Sequence, residues 1–320
     1  MFYMASADKR IERMVMVARM YYEQDMTQNE IAKALGISRP LVSILLTEAK
    51  ACGIVTFQIH DVANSRQLMI NQLENKFPGI RFQIVPDESN EDATDNLLAK
   101  TAFQFCFNQL TDVKNIGIGW GSMLSRMTTV IEDGAAGQDH SDKNLFPLVG
   151  GIRTSYRGYH TNEIVRMIGE KTGVDVHYLY FPAFFDETAD LEYVKRMEDF
   201  QFINQLWNDM DVALVSISNY PSYPDIGIKY RFGNDLMKKN AVGRLLAYYY
   251  DVEGNLIDPW INGAMQPDIQ QLRNTNQVIA VCSTQLRPEC VIGALLTNVI
   301  KTILIPESLA EKIIKVLTTE

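Results

Sequence analysis

The stretch QNEIAKALGISRPLVSILL, residues 28–46, decides the reading of this chain. Ile31, Ala32 and Leu35 recur at the spacing of one helical face, and after a break Val42, Leu45 and Leu46 do the same. Gly36-Ile37 makes the break, since glycine takes the positive φ of a sharp turn at no steric cost. Ser38 stands where the next helix needs an N-cap, and the small Ala32 lets the two helices approach closely. Outward from the second helix face Arg39, Pro40, Ser43 and Thr47, a polar strip of the kind a recognition helix offers to base edges. Together with Gln28, Ser38 and Leu41 they are the candidate contacts to double-stranded operator DNA.

An ordinary antiparallel helix pair carries the same bare alanine-glycine-valine pattern, so the flanks matter. Thr27 followed by Glu30 forms a capping box that opens the first helix. Upstream, IERMVMVARMYYEQDM (11–26) puts Ile11, Met14, Val15, Ala18 and Tyr22 at helical spacing, a third helix to close a core. Downstream, GIVTFQI (53–59) alternates as a strand does, as the wing of a winged helix-turn-helix would.

At 320 residues the chain has room for two domains, a small head over 1–60 that carries the DNA-binding motif and a larger body over 61–320. No apolar run is long enough to span a membrane, and the start MFYMASADKR lacks the marks of a secretory signal. Cys52, Cys106, Cys282 and Cys290 show no metal-ligand spacing and read as small hydrophobes in a reducing cytoplasm. Seven Lys/Arg against six Asp/Glu over residues 1–60 give a head of +1, so the net charge of −9 leaves −10 on the body. A head this poor in cations binds phosphate weakly by itself, which predicts a homo-oligomer, a dimer or tetramer with paired heads, on a two-fold operator.

From Ile80 onward apolar strands alternate with amphipathic helices. Strands are expected at 80–85, 115–120, 145–150, 174–181, 211–217, 277–283 and 302–305. Helices are expected at 91–110, 122–132, 161–171, 197–208, 288–298 and 308–317, giving a doubly wound, mostly parallel α/β sheet. The segment 218–240 reads as a loop or lid. In such a sheet, ligands bind beyond the carboxyl ends of strands. The best candidate is GIGWGSML (117–124), where three glycines end a strand and Ser122 starts a helix whose N–H groups can cradle an anion. Close strand–helix packing explains the same glycines equally well. No catalytic set, metal-ligand spacing or dinucleotide fingerprint stands out, so neither cofactor nor metal is expected, and His160 reads as solvated or structural.

The head stretch ARMYYEQDMTQNEIAKALGISRPLVSILLTEAKACGIV (18–55) resembles the SorC family of bacterial sugar-responsive transcriptional regulators. In the body IGIGWG (116–121), PLVGG (147–151), NEIVRMIGEKTG (162–173), DVALVSIS (211–218), AVGRLLAYYYDVEGNLID (241–258) and VIAVCSTQLRPECVIGAL (278–295) follow in that family's order. The resemblance implies a Rossmann-like effector domain related to phosphosugar isomerases and deaminases, a tetramer, and a response to a phosphorylated sugar. Its site residues map onto Trp120, Gly121, Ser122, Met123, Gly151, Asn162, Arg244 and Arg287. Arg244 stands where the family usually has aspartate, and Ser283, Thr284 and Arg287 replace a glycine pair leading to lysine. A donor in place of an acceptor points to a small anionic effector, a phosphosugar or a sugar acid. A phosphosugar isomerase or deaminase with an accessory head is the alternative reading.

Overall fold

The computed structural model describes residues 4–55, 62–110, 112–131, 140–152, 157–185, 188–221, 235–257 and 264–319. The chain forms two compact units, Met1–Val62 and Ala63–Glu320.

The first unit packs three helices, α1 (Met4–Tyr22), α2 (Gln28–Leu35) and α3 (Arg39–Ala51). Thr27 Oγ1 accepts the Glu30 N–H while the Glu30 carboxylate accepts the Thr27 N–H at 2.8 Å, closing the capping box. Gly36 ends α2 in the left-handed region at φ 63°. Met14, Val17 and Ala18 meet Ile31, Ala32, Val42, Leu45, Leu46 and Ala49 in one buried core. The buried face of α1 is therefore set by Met14, Val17 and Ala18, and Ile11 stays exposed. Arg10 instead ties that end of α1 to α3 with two hydrogen bonds to Glu48, at 2.9 and 2.6 Å. Ser38 occupies the N-cap position of α3 but its side chain makes no cap bond. Pro40 removes one of the two N–H groups an N-cap serine can serve, and the Leu41 N–H bonds to the Ser38 carbonyl at 3.0 Å. Of the expected wing, residues 56–59 lie outside the described residues.

In the second unit the helices are α4 (Val62–Lys76), α5 (Glu91–Gln104), α6 (Ser122–Val130), α7 (Thr161–Thr172), α8 (Thr188–Val194), α9 (Glu198–Asn208), α10 (Asp235–Lys238), α11 (Ile269–Asn274), α12 (Pro288–Leu296) and α13 (Glu307–Thr319). The strands are β1 (Arg81–Val85), β2 (Asn115–Ile118), β3 (Asn144–Pro147), β4 (Asp175–Val176), β5 (Val212–Asn219), β6 (Gly243–Leu245), β7 (Tyr248–Tyr250), β8 (Leu256–Ile257), β9 (Gln277–Val281) and β10 (Thr302–Pro306). Seven of them run parallel in the order β1-β10-β9-β5-β2-β3-β4. Period-two alternation divides the core. Val212, Leu214, Ile279, Val281 and Leu304 face α5, α6 and α7, while Ala213, Val215, Val278, Ala280, Ile303 and Ile305 face α4, α9, α12 and α13.

Two departures from the expected elements have clear causes. The strand expected over 174–181 pairs only at Asp175–Val176. The next donor toward it would be the N–H of residue 147, which is proline. The Pro147 carbonyl accepts Trp207 Nε1 at 3.0 Å instead, and the Leu179 N–H is taken by Asn162 Oδ1 at 3.0 Å. The antiparallel meander β6-β7-β8, absent from the expected strands, extends β5 beyond the parallel sheet, with Ser218 opposite Arg244. Most of the segment 218–240 read as a loop, residues 222–234, lies outside the described residues.

The strand order places the candidate anion loop. After β2 the chain steps outward to β3 and β4, then returns on the other side of β2 as β5. The crevice between the carboxyl ends of β2 and β5 is thus a topological switch point, the usual ligand position in an open α/β sheet.

Candidate DNA-contact surface and effector crevice

In the head, Arg39, Pro40, Ser43 and Thr47 are all exposed on α3, as is the Ser38 that precedes it. Thr47 Oγ1 donates to the Ser43 carbonyl at 3.0 Å, which aligns the two along one helical edge. Leu41 is half-buried, and Ile44, one turn before Glu48, is the large apolar side chain exposed on this helix. Gln28, half-buried at the start of α2, lines with Tyr21, Tyr22, Asn29 and Arg39 a depression of about 560 Å³. Lys50 Nζ lies 5.9 Å from the Tyr22 ring centre. The same depression is lined by Asp25, Met26 and Thr27, so groups of both charge signs meet there beside the N-terminus of α3.

In the body, the glycines of the loop after β2 divide between the two sequence readings. A Cβ on Gly117 would sit 2.3 Å from Leu148 Cδ2 and one on Gly119 2.8 Å from Leu246 Cδ2, so these two serve packing. Gly121 is different. It caps α6 at φ 121°, and a Cβ there would lie 2.4 Å from Ser216 Oγ. With no side-chain cap, the first-turn amides of α6 open where β2 and β5 diverge. Ser122 is exposed there, and Met123 is buried against the sheet, so its part at this rim is its backbone N–H.

Behind the loop, Ser216 Oγ donates to the Trp120 carbonyl at 2.7 Å and fixes the turn. Trp120 is itself buried, its Nε1 donating to the Leu246 carbonyl at 3.2 Å. Arg244 reaches over the indole with its guanidinium carbon 5.1 Å from the ring centre, and its Nη1 donates to the same carbonyl at 3.3 Å. Trp120, Gly121, Ser122 and Arg244 are thereby brought together, with the Trp120 ring face covered by Arg244. Arg287, exposed at the N-cap of α12, donates through Nη2 to the carbonyls of Tyr220 and Val242 at 2.6 and 3.2 Å. It therefore adjoins Arg244 through β6. Gly151 and Asn162 lie elsewhere, near the end of β3. Gly151 bridges Pro182, and His160 Nε2 would stand 2.8 Å from a Cβ on Gly151. The Asn162 amide is spent on both backbone groups of Leu179, at 3.0 Å each.

Ser216 and Leu246 escaped the sequence reading as site members, whereas Thr284 entered it as one of the departures from the family's pattern. Ser216 interrupts the apolar run of β5, which is the signal that marks it. Leu246, at φ 51°, supplies the shared carbonyl, and nothing in its residue type announces that. Thr284 has its N–H held by Asp95 at 2.9 Å and its Oγ1 buried without a partner. Nearby thiols offer no nucleophile. Burial pushes Cys290 up to about 11, and burial with the neighbouring Cys290 raises Cys282 well above its ordinary value. Cys106 is pushed up to about 12 by burial, whereas Cys52 is exposed in the head.

A helix-turn-helix unit joined to a switch-point crevice defines a ligand-responsive regulator of transcription. Residues 61–315 match the sugar-binding domain family model (Sugar-bind), and residues 10–51 match that of sigma-70 region 4. The chain is 26% identical to the sorbitol operon regulator of Klebsiella pneumoniae over 95% of its length and 98% of the relative's. It is 24% identical to the deoxyribonucleoside regulator of Bacillus subtilis strain 168, over 93% and 95% of the two chains. The crystal structure of full-length sorbitol operon regulator SorC from Klebsiella pneumoniae superposes with a TM-score of 0.68 at 24% identity, covering 94% of this chain and 97% of that one. The chain belongs to the SorC family of sugar-binding transcriptional regulators. Its relatives are regulators, not enzymes, and the isomerase alternative falls on that ground.

Proposed function

We propose that the protein binds operator DNA through α3 and changes its hold on that DNA when an anionic sugar metabolite enters the crevice between β2 and β5. The observation that carries this reading is the outward strip of α3, with Ser38, Arg39, Ser43 and Thr47 exposed at and after its N-terminus while Val42, Leu45 and Leu46 anchor it. Residues 1–60 are the DNA-binding domain and 61–320 the effector and oligomerisation domain. Gln28 supports the phosphate side of the contact, and Pro40 and Leu41 its seat.

In the crevice, the amides at Gly121–Met123 take the phosphate of a phosphosugar, and Arg244 faces its far end. Arg287 holds β6 in place, and Gly151 and Asn162 shape the neighbouring wall. The partners are double-stranded operator DNA and a further three copies of the chain, in the cytoplasm. Effector binding favours one arrangement of the assembly, and by linkage it alters operator affinity by the same factor. Selecting genomic fragments with the full-length protein and footprinting them tests the reading. A two-fold footprint with half-sites about one or more helical turns apart is expected. Binding without sequence preference contradicts it.

A further inference from the structure

Among the described residues neither Arg244 nor Arg287 has an ion-pair partner. The ion pairs among the described residues join Arg10 to Glu48, Arg66 to Glu307 and Arg126 to Asp92, besides pairs between near neighbours in sequence such as Arg166 with Glu163 and His177 with Asp175. None includes Arg244 or Arg287. Arg244 is half-buried, and its Nε is fully enclosed with no hydrogen-bond partner. Half of its setting is rigid: Trp120 backs the guanidinium at 5.1 Å, and the Leu246 carbonyl holds Nη1. On the other side Nε is enclosed without a partner, and Nη2 has no hydrogen bond among the described residues.

An unpaired, partly desolvated charge is costly, and chains retain one where something else neutralises it. A tryptophan-backed guanidinium whose Nη2 has no protein acceptor is preorganised to donate to an oxyanion. A monophosphate seated on the amides of α6 leaves this edge empty.

We infer that the effector carries a second anionic group, a carboxylate or a second phosphate at the end remote from the first, and that Arg244 binds it. Arg287 acts behind it as a positioning residue. By gripping the carbonyls of Tyr220 and Val242 it fixes the strand that presents Arg244. The inference rests on the effector reading of the β2–β5 crevice, and it narrows the effector class to doubly anionic sugars.

Thermal unfolding of the full chain tests it, with Arg244→Gln and Arg244→Lys beside the natural protein. Without ligand, Arg244→Gln is expected to melt higher, because it removes an uncompensated charge. A lower melting point would make Arg244 a structural residue and overturn the proposal. With ligand, the probes are glucose 6-phosphate, 6-phosphogluconate and fructose 1,6-bisphosphate. One or both doubly anionic probes are expected to bind the natural chain at least about tenfold more tightly than glucose 6-phosphate, with the preference lost in Arg244→Gln. Which of the two wins tells carboxylate from phosphate. Equal binding of all three, or a preference that survives in Arg244→Gln, overturns the second-charge inference and leaves the crevice reading standing. Failure of every probe to shift the natural chain overturns both.

Discussion

Gly121 concentrates two constraints in one residue. Its φ of 121° disfavours any L side chain, and a Cβ would strike Ser216 Oγ, the group that fixes the turn. Gly121→Asp adds a negative charge at the mouth of the α6 amides as well. It is expected to abolish effector response while leaving operator affinity unchanged, read by calorimetry and fluorescence anisotropy on one preparation; loss of both would mark a folding defect. At Arg39, truncation to alanine removes an exposed guanidinium from the start of α3. It should weaken operator binding by about 1–3 kcal/mol, the range of a bidentate base contact. An unchanged anisotropy titration would remove Arg39 from the base-reading set. The exposed Ile44 on the same helix leaves the preferred operator sequence a property of this chain alone.

Helix ends add to the stability that the buried core gives the small head. Thr27 and Glu30 bond reciprocally, and those bonds hold the Glu30 carboxyl below its usual range. The sign follows: a depressed carboxylate contributes stability above its unfolded pKa, and the contribution fades as pH falls through the folded value. Thr27→Ala is expected to cost the head about 1 kcal/mol in urea titration at neutral pH. The penalty should shrink on acidification, and a pH-independent penalty would contradict the cap's role.

At the same scale lies the limit of what the sequence discloses. The capping box, the Gly36 turn, the inner face of α3 and the six longer parallel strands were all legible, because each is written in local periodicity or in a residue with one conformational use. The short β4 was not, since its end depends on Pro147, Trp207 and Asn162 meeting from three elements. Nor was the β6–β8 meander, where Tyr248, Tyr249 and Tyr250 are all buried and the alternation that signals a strand vanishes. In the candidate site Trp120, Gly121 and Arg244 were legible as residues. Their mutual contact through the Leu246 carbonyl was not, because a backbone acceptor has no sequence signature.

Over the whole molecule charge and valency decide the behaviour. A +1 head on a −10 body has little net attraction for DNA, which is the ground for the proposal that several heads act together. Deleting one half-site from a selected operator is expected to cost on the order of 10²-fold in affinity or more. A loss of only severalfold would contradict the paired-head reading.

Above this stands the claim that the two units are energetically coupled: occupancy of the β2–β5 crevice changes the grip of α3 on DNA. The direct measurement is an anisotropy titration of a selected operator with the full-length protein, with and without a sugar phosphate already shown to raise its melting temperature. The account predicts a shift of about tenfold or more, equivalent to about 1.4 kcal/mol, and a matching shift in ligand affinity when operator is present. An operator affinity that stays the same at saturating ligand would contradict it.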